Sequence, residues 1–319
     1  MHEGGDARPA IDVWYGRTQH VGQAGLPQRW YNVLGRVHRT DELRELTARL
    51  NEGDSWKLSR GPDQRRLVAR GDFNVELDIE ELLPGSNDLT IAAAYDDQVV
   101  EEHVEIVRHQ AEPAFPPLRV DWETEGLPNR HAMVVDGRWE TNGRYITTRE
   151  IGYDRLIAIG DVRWRDYEVV VPVVVHAMEA RAYGWPSTHT GVGIVIRWKG
   201  HSNWGRDEYA SGQPRFGPGP YGAIGWWNTW VDDGEHVNFF DVDLGIRDRA
   251  MRDLALNVPY LLRVRVTSQK DGHSRYDLKI WEEQHDEPDE WDVTSVAPLN
   301  ALDSGSILLG AHETAASFG

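Results

Sequence analysis

"GDFNVELDIEELLPGSNDLTIAAAY", residues 71–95, decides what kind of protein this is. Val75, Leu77 and Ile79 alternate with Glu76, Asp78 and Glu80. A two-residue period is that of a strand with one apolar and one polar face. Three carboxylates then share a face, and two carboxyl groups about 5 Å apart are what retaining glycoside hydrolysis needs. The continuation gives a different reading. Leu82 and Leu83 tuck under, Pro84-Gly85 turn the chain, and Asn87 opens a second strand. Strand, turn and strand of this size belong to a small sandwich, with Val75, Leu77 and Ile79 inward. Glu76, Asp78 and Glu80 are then expected to face water, with any chemistry lying beyond residue 119.

The same period recurs along the chain. "IDVWY" (11–15), "WYNVLGRV" (30–37), "VVEEHVEIV" (99–107), "YEVVVPVVVH" (167–176), "GVGIVIRW" (191–198), "YLLRVRV" (260–266), "YDLKIW" (276–281) and "SILLGAH" (306–312) read as strands punctuated by Gly, Pro, Asn and Asp. "TDELRELTARL" (40–50) fits a helix by its leucines and equally fits a loop plus a strand. The fold class is all-β. "QAEPAFPPLR" (110–119) carries three prolines in five residues and makes a stiff linker. The chain divides into residues 1–109, a Pro-rich linker at 110–118, and residues 119–319. The first part has the size of an immunoglobulin-like sandwich and the second that of a jelly-roll sandwich.

Composition narrows the functional classes. Hydrophobic residues make up 40% of 319, enough for a packed core. A net charge of −18 disfavours nucleic acid or an anionic membrane as partner. No apolar run of about 18 residues exists, so membrane insertion is not expected. "MHEGGDARPA" lacks the apolar region of a signal peptide and reads as a fragment boundary. Without cysteine there is no disulfide, thiolate metal site or cysteine nucleophile. Fourteen tryptophans are unusual; Trp serves either the core or the stacking of sugar rings.

Long phrases carry a resemblance. "IDVWYGRTQHVGQAGLPQRWYNVLGRV" (11–37) and "GDFNVELDIEELLPGSNDLTIAA" (71–93) resemble the immunoglobulin-like module of a group of bacterial exported proteins. "GYDRLIAIGDVRWRDYEVVVPVVVHAM" (152–178), "GVGIVIRWKGH" (191–201), "YGAIGWW" (221–227), "YDLKIWEEQHDEPDEWD" (276–292) and "AHETAASFG" (311–319) are similar to the second module of that group, a LamG-like, concanavalin-type jelly roll. The resemblance implies an N-terminal immunoglobulin-like sandwich, a C-terminal jelly roll and a secreted or cell-surface location. In that group "ASFG" is followed by an Asp and one more strand. The Asp that would close a calcium site has no counterpart up to Gly319.

Alternation assigns the polar side of the second module. Ile194, Ile196 and Trp198 oppose Val195, Arg197 and Lys199; Leu262, Val264 and Val266 oppose Arg263 and Arg265; Leu278 and Ile280 oppose Asp277, Lys279 and Trp281. With His176 and His312 these form a basic, aromatic-bearing face on an acidic chain. Such a face suits an anionic or hydroxyl-rich ligand, because Arg forks match carboxylates and sulfates; it is equally a solvated face of Arg–Glu pairs, for example with Glu168 or Glu282. The segment 185–236 adds Trp204, Tyr209 and Arg215 in a Gly/Pro-rich loop, then Trp226, Trp227 and Trp230. Adjacent Trp226 and Trp227 point to opposite faces, one inward and one outward.

These residues predict a non-catalytic glycan-binding or adhesion module for a polysaccharide or glycoconjugate. Its binding residues would be His176, Arg197, Arg263, Lys279, Trp281, Trp204, Trp227 and Trp230. One alternative is a polysaccharide lyase or glycoside hydrolase on the same fold. "TTREIGYDR" (147–155), "VVVHAM" (173–178) and "YDLKIW" follow the order of loosely similar lyase strands, but the lyase Gln-x-His is Val-x-His at 174–176 and Trp281 stands where its Tyr would fall. Asp241 and Asp243 alternate as a hydrolase pair does, and as many surface pairs do. The other alternative is a structural spacer of a large surface protein. No cofactor is expected. "HDEPDEWD" (285–292) is read as a solvated acidic loop rather than a metal site, and a structural calcium near Asp121 has no support in the sequence.

Overall fold

A computed structural model describes residues 10–110, 115–127, 130–179, 189–203, 214–230, 234–240, 248–299 and 301–319, with the backbone alone at 125, 189, 230, 236 and 240. The protein is all-β. The first part forms β1 (Ile11–Val13), β2 (Thr18–Val21), β3 (Trp30–Val37), β4 (Leu43–Leu50), β5 (Trp56–Lys57), β6 (Asp72–Asp78), β7 (Gly85–Tyr95) and β8 (Val99–Arg108). After the short helix α1 (Trp122–Glu125) come β9 (Ala132–Asp136), β10 (Trp139–Thr141), β11 (Ile146–Thr148), β12 (Asp154–Ile159), β13 (Tyr167–Met178), β14 (His189–Trp198) and β15 (Ala223–Trp230). The remaining strands are β16 (Gly234–Phe240), β17 (Arg249–Met251), β18 (Pro259–Ser268), β19 (Ser274–Glu282), β20 (Val293–Ala297), β21 (Ser306–His312) and β22 (Thr314–Phe318).

The strands build four sheets. β1-β3-β6 and β2-β8-β7-β4-β5 face each other as the N-terminal sandwich. The other two have seven strands each: β10-β11-β22-β13-β18-β19-β20, here the outer sheet, and β17-β16-β15-β14-β21-β12-β9, here the inner sheet. Between them Val173, Val175, Leu262, Val264, Leu278 and Ile280 meet Val192, Ile194, Trp227 and Leu309. Each such aliphatic side chain contributes about 1.5–3 kcal/mol by leaving water. The second face of the inner sheet is not solvent. Its Met133, Val135, Leu156, Ala158, Val195 and Leu308 share one core with Val33, Val75, Leu77, Ile91 and Val104 of the N-terminal sandwich.

The segment 40–50, which fitted helix or strand, is β4. A register shift between Leu43 and Glu45 puts Leu43 and Leu46 on one face, and this irregularity is what imitates a helical leucine spacing. Helix among the described residues is limited to α1 and a 3-10 turn at Ile79–Glu81. No helix there is long and apolar enough to cross a membrane.

The opening stretch needs a correction. Val75, Leu77 and Ile79 are inward as expected, but every residue of β6 is buried. Glu76 and Asp78 do not face water; only Glu80 does, on the 3-10 turn. The polar face of β6 lies against the edge strand β9 and the segments around Arg66 and Arg215. Arg66 donates from Nε to Asp136 Oδ1 at 2.7 Å and from Nη1 to Glu76 Oε1 at 2.5 Å. It also reaches Asn32 Oδ1 at 3.0 Å and the Val135 carbonyl at 2.9 Å. Arg215 donates to Glu76 Oε2 at 2.8 Å and lies 3.3 Å over Trp30. The three carboxylates therefore separate. Glu76 joins the two halves of the protein, Asp78 pairs with Arg29 at 2.5 Å, and neither is available as a catalytic pair.

Candidate functional site

On the outer sheet, odd and even positions separate. Glu168, Val170, Pro172, Val174 and His176 of β13 lie on the face away from the core, with Leu261, Arg263 and Arg265 of β18 and Lys279 and Trp281 of β19. Val170, Arg263 and Lys279 form one cross-strand row; Pro172, Leu261 and Trp281 form the next.

The basic row is neutralised. Arg263 pairs with both Glu168 and Glu287. Lys279 Nζ lies 2.5 Å from Glu287 and donates to the Pro288 carbonyl at 2.6 Å. Lys279 and Arg263 hold the Glu287 carboxyl below its ordinary range. Arg265 donates to Asp277 at 2.7 Å, Arg275 meets the other oxygen at 2.9 Å, and Thr294 adds a bond at 2.7 Å. Burial raises the Asp277 carboxyl, but these donors bring it below the ordinary range. The acidic loop 285–292 folds back on this face, with Trp291 centred 4.6 Å from Arg265 and 4.7 Å from Lys279. Of the two expectations for this face, a basic groove or a lattice of Arg–Glu pairs, the structure has the lattice.

Two expected binding residues are elsewhere. Arg197 does not face a groove: it is completely buried at the end of β14, in the inner sheet. A register shift between Ile196 and Trp198, with Arg197 at φ 53°, breaks the alternation. Trp198 is thereby turned into the core shared with the N-terminal sandwich, opposite to the face of Ile194 and Ile196. The Arg197 guanidinium crosses to the outer sheet, bonding Ser274 and the Leu302 carbonyl at 2.6 Å, Ser268 at 2.9 Å and Asp166 at 3.2 Å. Trp227 is the inward member of its pair. It is fully buried between the sheets and donates to the Arg252 carbonyl at 2.9 Å, so it cannot stack on a ligand. Trp226 and His312 lie on the opposite face of the inner sheet, their rings 6.1 Å apart. Trp204, Tyr209, Asp241, Asp243 and the side chain of Trp230 lie outside the described residues.

His176 and Trp281 do share the exposed face. His176 Nε2 is 2.7 Å from Ser317 Oγ and Nδ1 is 2.9 Å from Asn257 Oδ1; Ser317 continues to Thr147 Oγ1 at 2.8 Å. The order Ser, His, Asn is that of an acylating triad. However, Ser317 is only 3% exposed, and it is paired with strands on both sides, at Val174 and Thr147. Those ladders use the backbone N–H groups that an oxyanion would need. The array is a polar cross-strand tie.

Beside it runs a feature the sequence reading missed. Trp281, Leu261 and Pro172 are cross-strand neighbours. Gly319 extends the row, bonding its N–H to the Pro172 carbonyl at 2.8 Å, and a side chain there would meet Pro172 and Tyr145. All five residues are half-buried. Five positions at the spacing of adjacent strands span about 19 Å. Tyr145 follows the Asn142-Gly143 turn between β10 and β11, and that dipeptide was the available signal for a hairpin presenting it. At Pro172, Arg144 and Gly319 the strip opens into a cleft of about 930 Å³, floored by Ile159, Ile307 and Leu309 and rimmed by Arg119, Asp121, Glu123 and Glu168. Asp121 is the N-cap of α1, its carboxylate accepting from the Glu123 N–H at 3.0 Å. Among the described residues no group of three His, Asp or Glu is disposed to hold a metal ion.

No protein-family model matches the chain, and no curated protein matches it. Among solved structures, it is similar to the endo-beta-1,4-mannanase from Thermotoga petrophila at 11% identity and a TM-score of 0.26, over 34% of this chain. The chain spans 21% of the length of that structure.

Proposed function

We propose that this chain is a non-catalytic glycan-binding or adhesion module of an exported bacterial protein, its N-terminal sandwich immunoglobulin-like and its two seven-stranded sheets a LamG-like jelly roll. Sugar rings stack along the half-buried strip from Trp281 to Tyr145. That strip is the observation that carries the reading. An extended apolar row with an aromatic at each end, open to solvent and bordered by polar groups, is unlike the scattered apolar residues of an ordinary surface. His176, Ser317 and Thr147 border it on one side and the Arg263–Glu287–Lys279 lattice on the other. Paired cations and hydroxyls suit hydroxyl-rich partners better than polyanions. The apolar cleft beside Pro172 accommodates further rings of the same chain.

A glycan array with the wild type and Trp281→Ala tests this. The wild type retains at least one neutral or acidic glycan, and Trp281→Ala loses it while keeping its fold. A wild type that retains none is instead a structural spacer. Release of an unsaturated product from uronate polymers would make the protein a lyase and overturn the non-catalytic reading.

A further inference from the structure

The outer sheet has a gap. β13 runs from Tyr167 to Met178, but its neighbour β22 covers only the half from Val173 onward. The ladder closes with the Gly319 N–H on the Pro172 carbonyl at 2.8 Å. Beyond that bond, Tyr167–Val171 pair with β18 on one side and, among the described residues, with no strand on the other.

Parity says which backbone groups face the gap. The N–H and C=O of one strand residue point to the same side, and the side alternates along the chain. Pro172 turns its carbonyl toward β22, so Val170 and Glu168 turn theirs the same way. The β13–β18 register is unbroken from Tyr167 to Val174, so the parity holds. Pro172 agrees with it, because its missing N–H falls on the edge side and not in the β18 ladder. Neither Glu168 nor Val170 has a backbone hydrogen bond across the gap among the described residues.

The gap lies over apolar surface. It is the cleft of about 930 Å³ floored by Ile159, Ile307 and Leu309, inner-sheet side chains that a further outer strand would cover. Val169 turns inward as Val171 does, yet Val171 is buried and Val169 only half-buried. Val170, on the outer face, is 47% exposed. Leu118 and Val120 line the same cleft and pack on the same core, with Arg119 exposed between them. Natural edge strands are usually blunted by charge, proline or a covering loop; here three consecutive valines occupy the edge.

We infer that this cleft is a slot for one extended polypeptide segment of a partner, added to the outer sheet antiparallel to β13 and in line with β22. The slot continues an existing ladder. The free groups of Glu168 and Val170 recur every second residue, about 6.7 Å, which is the repeat of a strand. Each residue offers one donor and one acceptor, and a strand answers both. The register sets the composition of the segment. Its residues opposite Tyr167, Val169 and Val171 turn inward onto the floor and are apolar; those opposite Glu168 and Val170 turn outward and are polar. Residues 116–123 also line the cleft, so the segment enters as a single strand and not as the edge of another sheet. The inference does not rest on the glycan reading. A strand and further sugar rings exclude each other in the cleft, while the strip on the outer face stays open.

The test is titration of the full chain with the capped peptide acetyl-Lys-Val-Thr-Val-Thr-Val-Lys-amide, followed by fluorescence anisotropy and amide hydrogen exchange. The peptide binds saturably with a dissociation constant below about 1 mM. The amides of Glu168 and Val170, fast to exchange in the free protein, become protected. The same peptide with Pro for both Thr cannot donate to the two free carbonyls and binds at least about tenfold more weakly. Val170→Pro removes the edge donor without touching the β18 ladder, as Pro172 already does, and weakens the wild-type peptide at least about tenfold with thermal unfolding retained. Trp281→Ala leaves peptide affinity unchanged even where it abolishes glycan binding. Absence of saturable binding, equal binding of the Pro peptide, or affinity that survives Val170→Pro overturns the proposal. Where Val170→Pro does not fold, the Pro peptide and the exchange pattern decide. Self-association of the wild type that Val170→Pro abolishes gives the slot to a second copy and overturns the partner.

Discussion

Glu76 Oε1 stands 2.5 Å from Arg66 Nη1, both side chains are almost completely buried, and the same guanidinium grips Asp136 from the other half of the protein. A carboxylate on β6 and a carboxylate on β9 are thus joined through one cation. Buried ion pairs give little net stability over an apolar contact, but breaking one leaves an uncompensated charge. The bridge specifies how the two halves dock more than how tightly.

Arg66→Met leaves Glu76 and Asp136 facing each other without their shared cation. The expected loss is about 3–5 kcal/mol by chemical denaturation. Glu76→Gln, which keeps the shape and removes one charge, costs less. A loss in Arg66→Met no larger than in an exposed Arg44→Met control would contradict the bridge.

The same cluster sets a pH dependence. Burial pushes the Asp136 carboxyl up to about 7, with Arg66 and Arg155 pulling against it. A folded pKa above the unfolded one, about 3.9, means that the folded state binds the proton more tightly. The associated stability is fully present below about pH 4 and is lost as pH rises through about 7. The size is on the order of 4 kcal/mol. Unfolding free energies of the wild type and Asp136→Asn measured from pH 4 to pH 8 should diverge: the wild type declines relative to the variant up to about pH 7 and runs parallel above it. Parallel curves throughout would remove Asp136 as the cause.

How much of this was legible depended on what each pattern reports. Alternation says that a strand has two faces, and it located β3, β7, β13, β18, β19 and β21 within a few residues. It does not say what covers the second face. Alternation assigns Glu76 and Asp78 to water because no local feature reveals that Arg66 and β9 close over Glu76 or that Arg29 covers Asp78. Alternation also fails at irregularities: the shift at Arg197 sent a supposed groove residue into the interior, and the shift at Leu43 made a strand look helical. It divided Trp226 from Trp227 without saying which was inward. Partners from distant loops were invisible, so Glu287 and Trp291 over the basic row and Tyr145 at the end of the strip appear only in three dimensions.

Arg197 should behave as a structural tie between the two large sheets. Its guanidinium serves Ser274, Ser268, Asp166 and two carbonyls from a site with no exposure. Arg197→Met leaves those groups unmet and is expected to lower stability by about 3–5 kcal/mol. Arg197→Lys restores charge but not the planar fork, and falls between the two. Gly305→Ala should act in the same place, because a Cβ there would sit 2.1 Å from the Arg197 carbonyl carbon. Wild-type thermal unfolding in all three would show that the tie carries no load.

The acid limb of stability has a different origin. Asp277 is fully buried and its carboxyl lies below the ordinary range, because Arg265, Thr294 and Arg275 outweigh burial. With a folded pKa below the unfolded one, its stabilisation is present above about pH 4 and disappears as pH falls through the folded value. Asp277→Asn should destabilise the protein at neutral pH and converge on the wild type at low pH. A constant difference across the acid range would assign the loss to packing alone.

The strip and the paired cations together predict how glycan binding responds to salt. If Arg263, Arg265 and Lys279 attracted an anionic polymer directly, affinity would fall steeply as ionic strength rose. In the structure each already faces a carboxylate: Glu168 and Glu287, Asp277, and Glu287. Their charge is spent inside the protein, and what remains open is the apolar row. Stacking is screened little by salt, whereas exposed charge pairs are screened over about 8–10 Å at moderate ionic strength. Affinity for the glycan retained on the array should therefore change less than about twofold between about 50 mM and 500 mM salt. Tyr145→Ala and Trp281→Ala should each weaken it, since they cap opposite ends of the same row, while Glu287→Gln should make binding of acidic glycans salt-dependent by releasing Lys279. A steep salt dependence in the wild type would mean that the cations, and not the strip, hold the ligand.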